Sequence, residues 1–181
     1  MGVGAAWLVT RYDFPLRGML EWALVLPLAV PGYVMAYTYT DLLQYVGPVQ
    51  TALRDTFGWT RADYWFPDVR SLGGAVLMFA LVLYPYVYML ARTAFLERAG
   101  GMMEVGRSLG LGPWASFWRV SLPLARPAIA AGVSLALMET LADFGAVSYF
   151  GVQTFTTGIY RAWFSLGDRV AAAQLATALL G

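Results

Sequence analysis

Lysine, cysteine and histidine are all absent from the 181-residue sequence, and charged residues make up only 13% of it. Without lysine there is no P-loop amine to hold nucleotide phosphates and none to form a Schiff base. Without cysteine or histidine there is no thiol nucleophile, no disulfide, no zinc site of the usual kind and no histidine-based triad. The chain therefore reads as a non-enzyme with no catalytic residue and no cofactor, and any ATP hydrolysis belongs to a partner. A net charge of +1, with the arginines scattered among loops, offers no basic face to nucleic acid.

What is present is apolar. Hydrophobic residues make up 59% and aromatics 15% of the sequence, with mean hydropathy +0.59, well beyond what a soluble domain of this length needs. An all-α, polytopic bundle of membrane helices is the expected fold. The opening run, Gly2 to Val9, would span only about 12 Å as a helix at 1.5 Å per residue. It has no basic n-region and no small-residue cleavage site, so it reads as the end of a membrane helix rather than a signal peptide. The polar turn TRYDFPLRG follows. Met19 to Tyr45 forms the first complete span, and Pro27 with Pro31 predict a kink or break, either a pore-lining bend or a structural one. Gly47 to Arg70 mixes balanced charge with Trp59, Tyr64, Trp65 and Phe66, which suits the outer interface. A short amphipathic helix over Pro48 to Phe57 would anchor it there, and direct substrate contact is the alternative reading. Ser71 to Leu90 returns the chain inward, to a stretch from Arg92 to Arg126 in which five arginines face Glu97 and Glu104. The positive-inside rule places this stretch in the cytoplasm.

The chain is organised around Glu104 to Pro127, EVGRSLGLGPWASFWRVSLPLARP. It carries too many charges to cross a bilayer. Glu104 favours the positive end of a short helix, Gly110 offers a left-handed stop, Pro113 suits the start of a second helix, and Pro123 with Pro127 predict its end. This spacing resembles the loop motif of binding-protein-dependent ABC transporter permeases: Glu-Ala-Ala, three residues, Gly, nine residues, Ile-x-Leu-Pro. Glu104, Gly110, Leu122 and Pro123 match in place, while Val105 and Gly106 stand for the alanines and Val120 for the isoleucine. The resemblance implies that residues 92–126 form a cytoplasmic coupling loop that docks on an ATPase, with those four residues carrying the coupling.

Beyond Pro127 the chain crosses outward to about Phe150 through a run rich in small residues, which favours close helix packing. Glu139 and Asp143 are four apart and are expected on one helix face. Carboxylates at membrane depth are costly unless paired, protonated or wetted. They line a translocation path or make structural hydrogen bonds. Tyr149 adds a further oxygen donor, and whether these groups meet a metal stays open. Gly151 to Gly167 reads as an outer loop with a short interfacial helix, and Asp168 to Gly181 as the beginning of another helix. With both ends inside membrane segments, the sequence reads as a fragment, residues 1–181 being one partial permease domain.

Glu21 to Gln50 and Met138 to Ala176 further resemble the first half of ferric-iron uptake permeases, which are similar to thiamine, sulfate and polyamine permeases. The resemblance implies a multi-pass protein of a bacterial inner membrane. It would pass ferric iron from a periplasmic binding protein, driven by a cytoplasmic ATPase dimer, together with the rest of its own chain or a second permease half. A structural membrane subunit without a path is the reading from another class; it predicts that removing the carboxylates leaves transport unchanged.

Overall fold

A computed structural model describes residues 1–108 and 110–180, the side chains of 98–108 lying outside the description. Every regular element among the described residues is helical. The chain forms two compact units, Met1–Ala29 with Leu83–Glu139, and Val30–Val82 with Thr140–Gly181.

The first unit contains α1 (Gly2–Arg11), α2 (Arg17–Ala23), a tight turn over Leu26–Ala29, most of α5 (Leu72–Ser108), and a helix that starts as α6 (Pro113–Ser116) and continues as α7 (Leu122–Ala142). Its core is an aromatic and alanine cluster: Ala6 and Trp7 from α1, Tyr88, Ala91, Ala94 and Phe95 from α5, then Phe117 and Ala125. Small residues bring the backbones together. A β-carbon on Gly132 of α7 would sit 2.8 Å from the Cα of Val87, so only glycine permits this approach. Among the described residues, an ion-pair cluster ties α2 to α5 and to the turn before α2. Glu21 of α2 accepts from Arg92 Nη2 at 2.8 Å and from Arg17 Nε at 3.2 Å, and Arg17 also pairs with Asp13.

Two expectations about helix breaks met different outcomes. The Pro27–Pro31 region is broken as expected: a tight turn ends at Ala29 and α3 (Gly32–Leu43) starts after Pro31. Pro123 and Pro127, by contrast, do not end their helix, which runs from Pro113 to Ala142 as a membrane-length segment. The physical reason lies one turn earlier. Over Phe117–Ser121 the helix widens, and the Leu122 amide donates to Phe117 O, five residues back. The amide that Pro123 lacks falls where the regular ladder is already interrupted, so the proline costs far less than in an unbroken helix. α5 likewise carries Pro85 without a break.

The second unit contains α3, α4 (Pro48–Phe57), the start of α5, α8 (Gly145–Tyr149), α9 (Phe155–Tyr160) and α10 (Arg169–Leu180). Pro48 opens α4, with the bounds expected of the helix over Pro48 to Phe57, and Gly58, at φ 65°, closes it. Thr154 and Thr157 form a capping box at α9, and the Asp168 carboxylate accepts from the Ala171 amide at 2.9 Å in the first turn of α10. Ala36, Met78, Phe79, Val82, Ala146, Val147, Phe150, Ala162 and Ala172 supply buried apolar surface.

Among the described residues, two helices are long and apolar enough to cross a membrane, Leu72–Glu97 and Pro113–Ala142, or three if the broken pair around Pro31 counts as one span. Only 17% of the apolar window of Pro113–Ala142 is buried, against 44% for Leu72–Glu97. Leu135, Leu137, Met138 and Leu141 stand bare on its outer half.

Candidate functional site

The turn after α5 is built by its glycines and Pro113. Gly110 takes φ +79°, a conformation that L side chains rarely adopt. Gly112 then caps α6 in extended conformation, its carbonyl accepting from the Ser116 amide at 2.9 Å, and Pro113 occupies the first helical position. The helix before the turn is not short, as expected from sequence, but the end of the 37-residue α5. Glu104 lies on that helix, with its side chain outside the described residues. Leu122 packs partly buried against the core cluster of the first unit, and Pro123 sits in the continuing helix.

The sequence reading missed the feature that anchors this turn. Trp7 of α1, buried to 4% exposure, has its ring centroid 4.9 Å from Phe117 and 5.6 Å from Trp114. Phe117 also meets Trp118 edge-on at 5.3 Å. Phe117 faces inward while Trp114 and Trp118 remain 68% and 61% exposed. Trp114, Phe117 and Trp118 stand at i, i+3 and i+4, the spacing of one helix face, and that was the available signal. The segment after Gly110 is thus stapled by aromatic contacts to α1, which itself packs on α5 in the core cluster.

Glu139 and Asp143 do not share the helix face that their spacing led one to expect. Glu139 is an exposed residue near the end of α7 in the first unit. α7 ends at Ala142, so Asp143 lies beyond it, in the second unit. Its Oδ1 accepts from the Ala146 and Val147 amides at 2.8 and 3.1 Å, satisfying the first donors of α8. The other oxygen, Oδ2, lies toward the start of α3, where a β-carbon on Gly32 would be 3.8 Å away; the positive helix end favours a carboxylate there. The four-residue spacing fits a helix face and a cap equally well, and the chain uses the cap. Tyr149, on α8, packs on Tyr37 with centroids 4.1 Å apart. Its hydroxyl accepts from Arg70 Nη2 at 3.0 Å, and the Arg70 guanidinium lies 4.6 Å from its ring centre. A guanidinium on that oxygen disfavours a metal cation at the same place. Among the described residues no three His, Cys, Asp or Glu side chains lie close enough to hold a metal ion.

Comparison with known proteins gives a consistent result. The family model described as "Binding-protein-dependent transport system inner membrane component" matches residues 1–181. The chain is 34% identical to the molybdenum transport system permease protein ModB of Escherichia coli K12 over 149 residues, which cover 82% of this chain and 62% of that protein. It is 30% identical to the Fe(3+)-transport system permease protein FbpB 2 of Haemophilus influenzae over 181 residues, 99% of this chain and 31% of the relative. Identity to the sulfate transport system permease protein CysT of E. coli K12 is 32% over 153 residues, 82% and 50% of the two chains. The chain spans less than two thirds of the length of these relatives.

Proposed function

Because the chain belongs to the binding-protein-dependent inner membrane transport components, a helical membrane permease family, we propose that it forms part of the substrate path of an ABC importer. A separate cytoplasmic ATPase dimer drives it, and a periplasmic protein delivers its substrate. The observation that carries this reading is the Gly110 turn. It joins the two membrane-length helices of the described chain, and its second arm is fixed by Trp7 to the core of the first unit. A push on that arm reaches the bundle through packed side chains rather than through a loose loop. Glu104, Gly110, Leu122 and Pro123 are the coupling positions in this reading. The bare face of α7 is where the rest of the permease, or a second permease half, packs.

For cargo, an inorganic ion is the class common to the relatives by their names. Ferric iron is the reading that the sequence resemblance favours, supported by a match to an Fe(3+) permease along nearly the whole chain. An oxyanion is the second reading, supported by the molybdenum and sulfate permeases and by the arginines of the α4–α5 loop. The test is ATP-dependent uptake in vesicles holding the full-length permease with its ATPase and binding protein, using radiolabelled ferric iron, molybdate and sulfate in parallel. Gly110→Val and Glu104→Ala stand beside wild type. Loss of uptake in both variants, with the protein still inserted, is the expected result. Unchanged uptake in both removes the coupling role from this turn, and no uptake of any ion by wild type overturns the cargo class.

A further inference from the structure

The second unit holds a cavity of about 580 Å³, within the usual range for small-molecule sites. It lies between α3, α4 and the loop leading to α5. Thr40 lines it from α3 and Gln44 from just past the end of that helix, Gln50 from α4, and Arg61, Tyr64 and Arg70 from the loop. Its wall is braced from behind. Gln50 Nε2 donates to Leu43 O at 2.7 Å, Tyr64 Oη donates to Gln50 Oε1 at 2.7 Å, and Arg54 donates to Tyr64 Oη at 3.2 Å and to Tyr45 O at 2.8 Å. The wall is therefore ordered by internal bonds.

Three features of this wall ask for a partner. Arg61 makes no hydrogen bond and no ion pair among the described residues; its one interaction is with the Tyr45 ring, 4.9 Å from the centroid. Arg54 lies 4.2 Å from the same ring centre, so two like charges share one aromatic platform, an arrangement that a nearby anion stabilises. Thr40 is 1% exposed, and its hydroxyl has no hydrogen-bond partner. A buried polar group left so is costly unless something meets it.

The charge balance fixes the sign of the ligand. Arg61 and Arg70 line the cavity against one carboxylate, Asp68, whose Oδ1 already accepts the Arg70 amide at 3.0 Å. Asp41 reaches the wall only through Gln44 Nε2, at 3.3 Å, and the Asp63 carboxylate accepts from the Thr60 amide and hydroxyl, both at 2.7 Å. A multivalent cation would face two guanidinium groups and a single carboxylate.

We propose that this cavity binds a small tetrahedral oxyanion of the sulfate or molybdate kind, with Arg61 as its main charge partner and Arg70 and the Thr40 hydroxyl as further donors. The cavity is larger than such an ion, which keeps part of its water shell there. As a station on an import path the site rests on the transport reading; as a binding site it does not.

The test uses the full-length protein alone in phosphatidylcholine nanodiscs, without ATPase or binding protein, and follows equilibrium binding of radiolabelled sulfate and molybdate. Arg61→Gln, Arg61→Lys and Thr40→Val are compared with wild type, with gel filtration and circular dichroism as controls for folding. Saturable binding is expected, weakened about tenfold or more by Arg61→Gln and less by Arg61→Lys. No saturable binding of either ion, or binding that ignores Arg61→Gln, overturns the site. Discs containing phosphatidylglycerol separate the two sources of the same chemistry: Arg61-dependent retention of that lipid without solute binding assigns the site to a headgroup and overturns the solute. Binding without ATP-dependent uptake in the vesicle assay would keep the site and sink the transport reading; uptake without binding would do the reverse.

Discussion

At the scale of single residues, Asp143 shows how a carboxylate near the end of a membrane helix is held. With two amides on Oδ1, it acts as a helix cap, and Asp143→Ala should cost about 1 kcal/mol. Asp143→Asn keeps the acceptor. Hydrogen exchange over residues 145–149 should therefore rise in the alanine variant and stay near wild type in the asparagine one. If uptake falls equally in both, the charge itself serves the path and the cap is incidental. Asp63 makes a pH prediction. Hydrogen bonds from the Thr60 hydroxyl and amide hold its carboxyl below the ordinary value of 3.8. A depressed folded pKa means that this contribution is present above the unfolded pKa and is lost as the pH falls through the folded one. Protection of the Thr60 amide, taken relative to the intrinsic exchange rate at each pH, should thus persist at neutral pH and fall only below the usual carboxylate range. No such protection at neutral pH would show that the Asp63 bonds do not hold the turn.

At the scale of elements, the decisive piece is the helix pair around Gly110. A β-branched side chain at φ +79° is strained, so Gly110→Val should cost about 1–2 kcal/mol and re-aim α6. Trp7→Ala, which empties the centre of the aromatic cluster, should cost about 3–5 kcal/mol and loosen the arm from α1. If the arm transmits force, Trp7→Phe should retain more uptake than Trp7→Ala at equal membrane insertion; equal loss would mean that the ring serves folding alone. Much of this element was legible in the sequence. Gly110 and Pro113 mark a stop and a start because their backbone limits are intrinsic to the residues, and Pro48 marks α4 for the same reason. The continuity of α6 into α7 was not legible. A widened turn leaves no trace in composition, and Pro123 read alone argues for an end. The cavity was hidden for a different reason: Thr40, Gln50, Arg61 and Arg70 are spread over 31 positions and meet only once α3, α4 and the loop have packed.

At the scale of the whole molecule, the unevenly covered helices say where neighbours belong. α7 offers a mostly bare apolar face with Glu139 near its end, and an ionisable group there needs a polar partner or water. These 181 residues hold no cysteine, so a thiol introduced into α7 is unique within them, and a photoactivatable thiol-linked cross-linker placed there, with any thiols elsewhere in the transporter first replaced, reports its neighbours. Leu137→Cys and Met138→Cys in the assembled transporter should cross-link to the rest of the permease more readily than Met89→Cys on α5. Labelling of both α7 positions only by lipid-soluble reagents would assign that face to the bilayer instead.

The widened turn at Phe117–Ser121 has a meaning for length as well as for shape. Each residue of a helix turns its neighbours by about 100°, so deleting one residue between Gly110 and Phe117 would leave the helix intact but swing Phe117 a quarter-circle or more away from Trp7, whereas the widened turn itself, with its extra residue, could absorb a deletion. The nine-residue spacer of the motif is in this sense a dial setting: what it fixes is the angle at which the arm after Gly110 meets the bundle, and single-residue insertions before Phe117 should be as disabling as losing Gly110 itself.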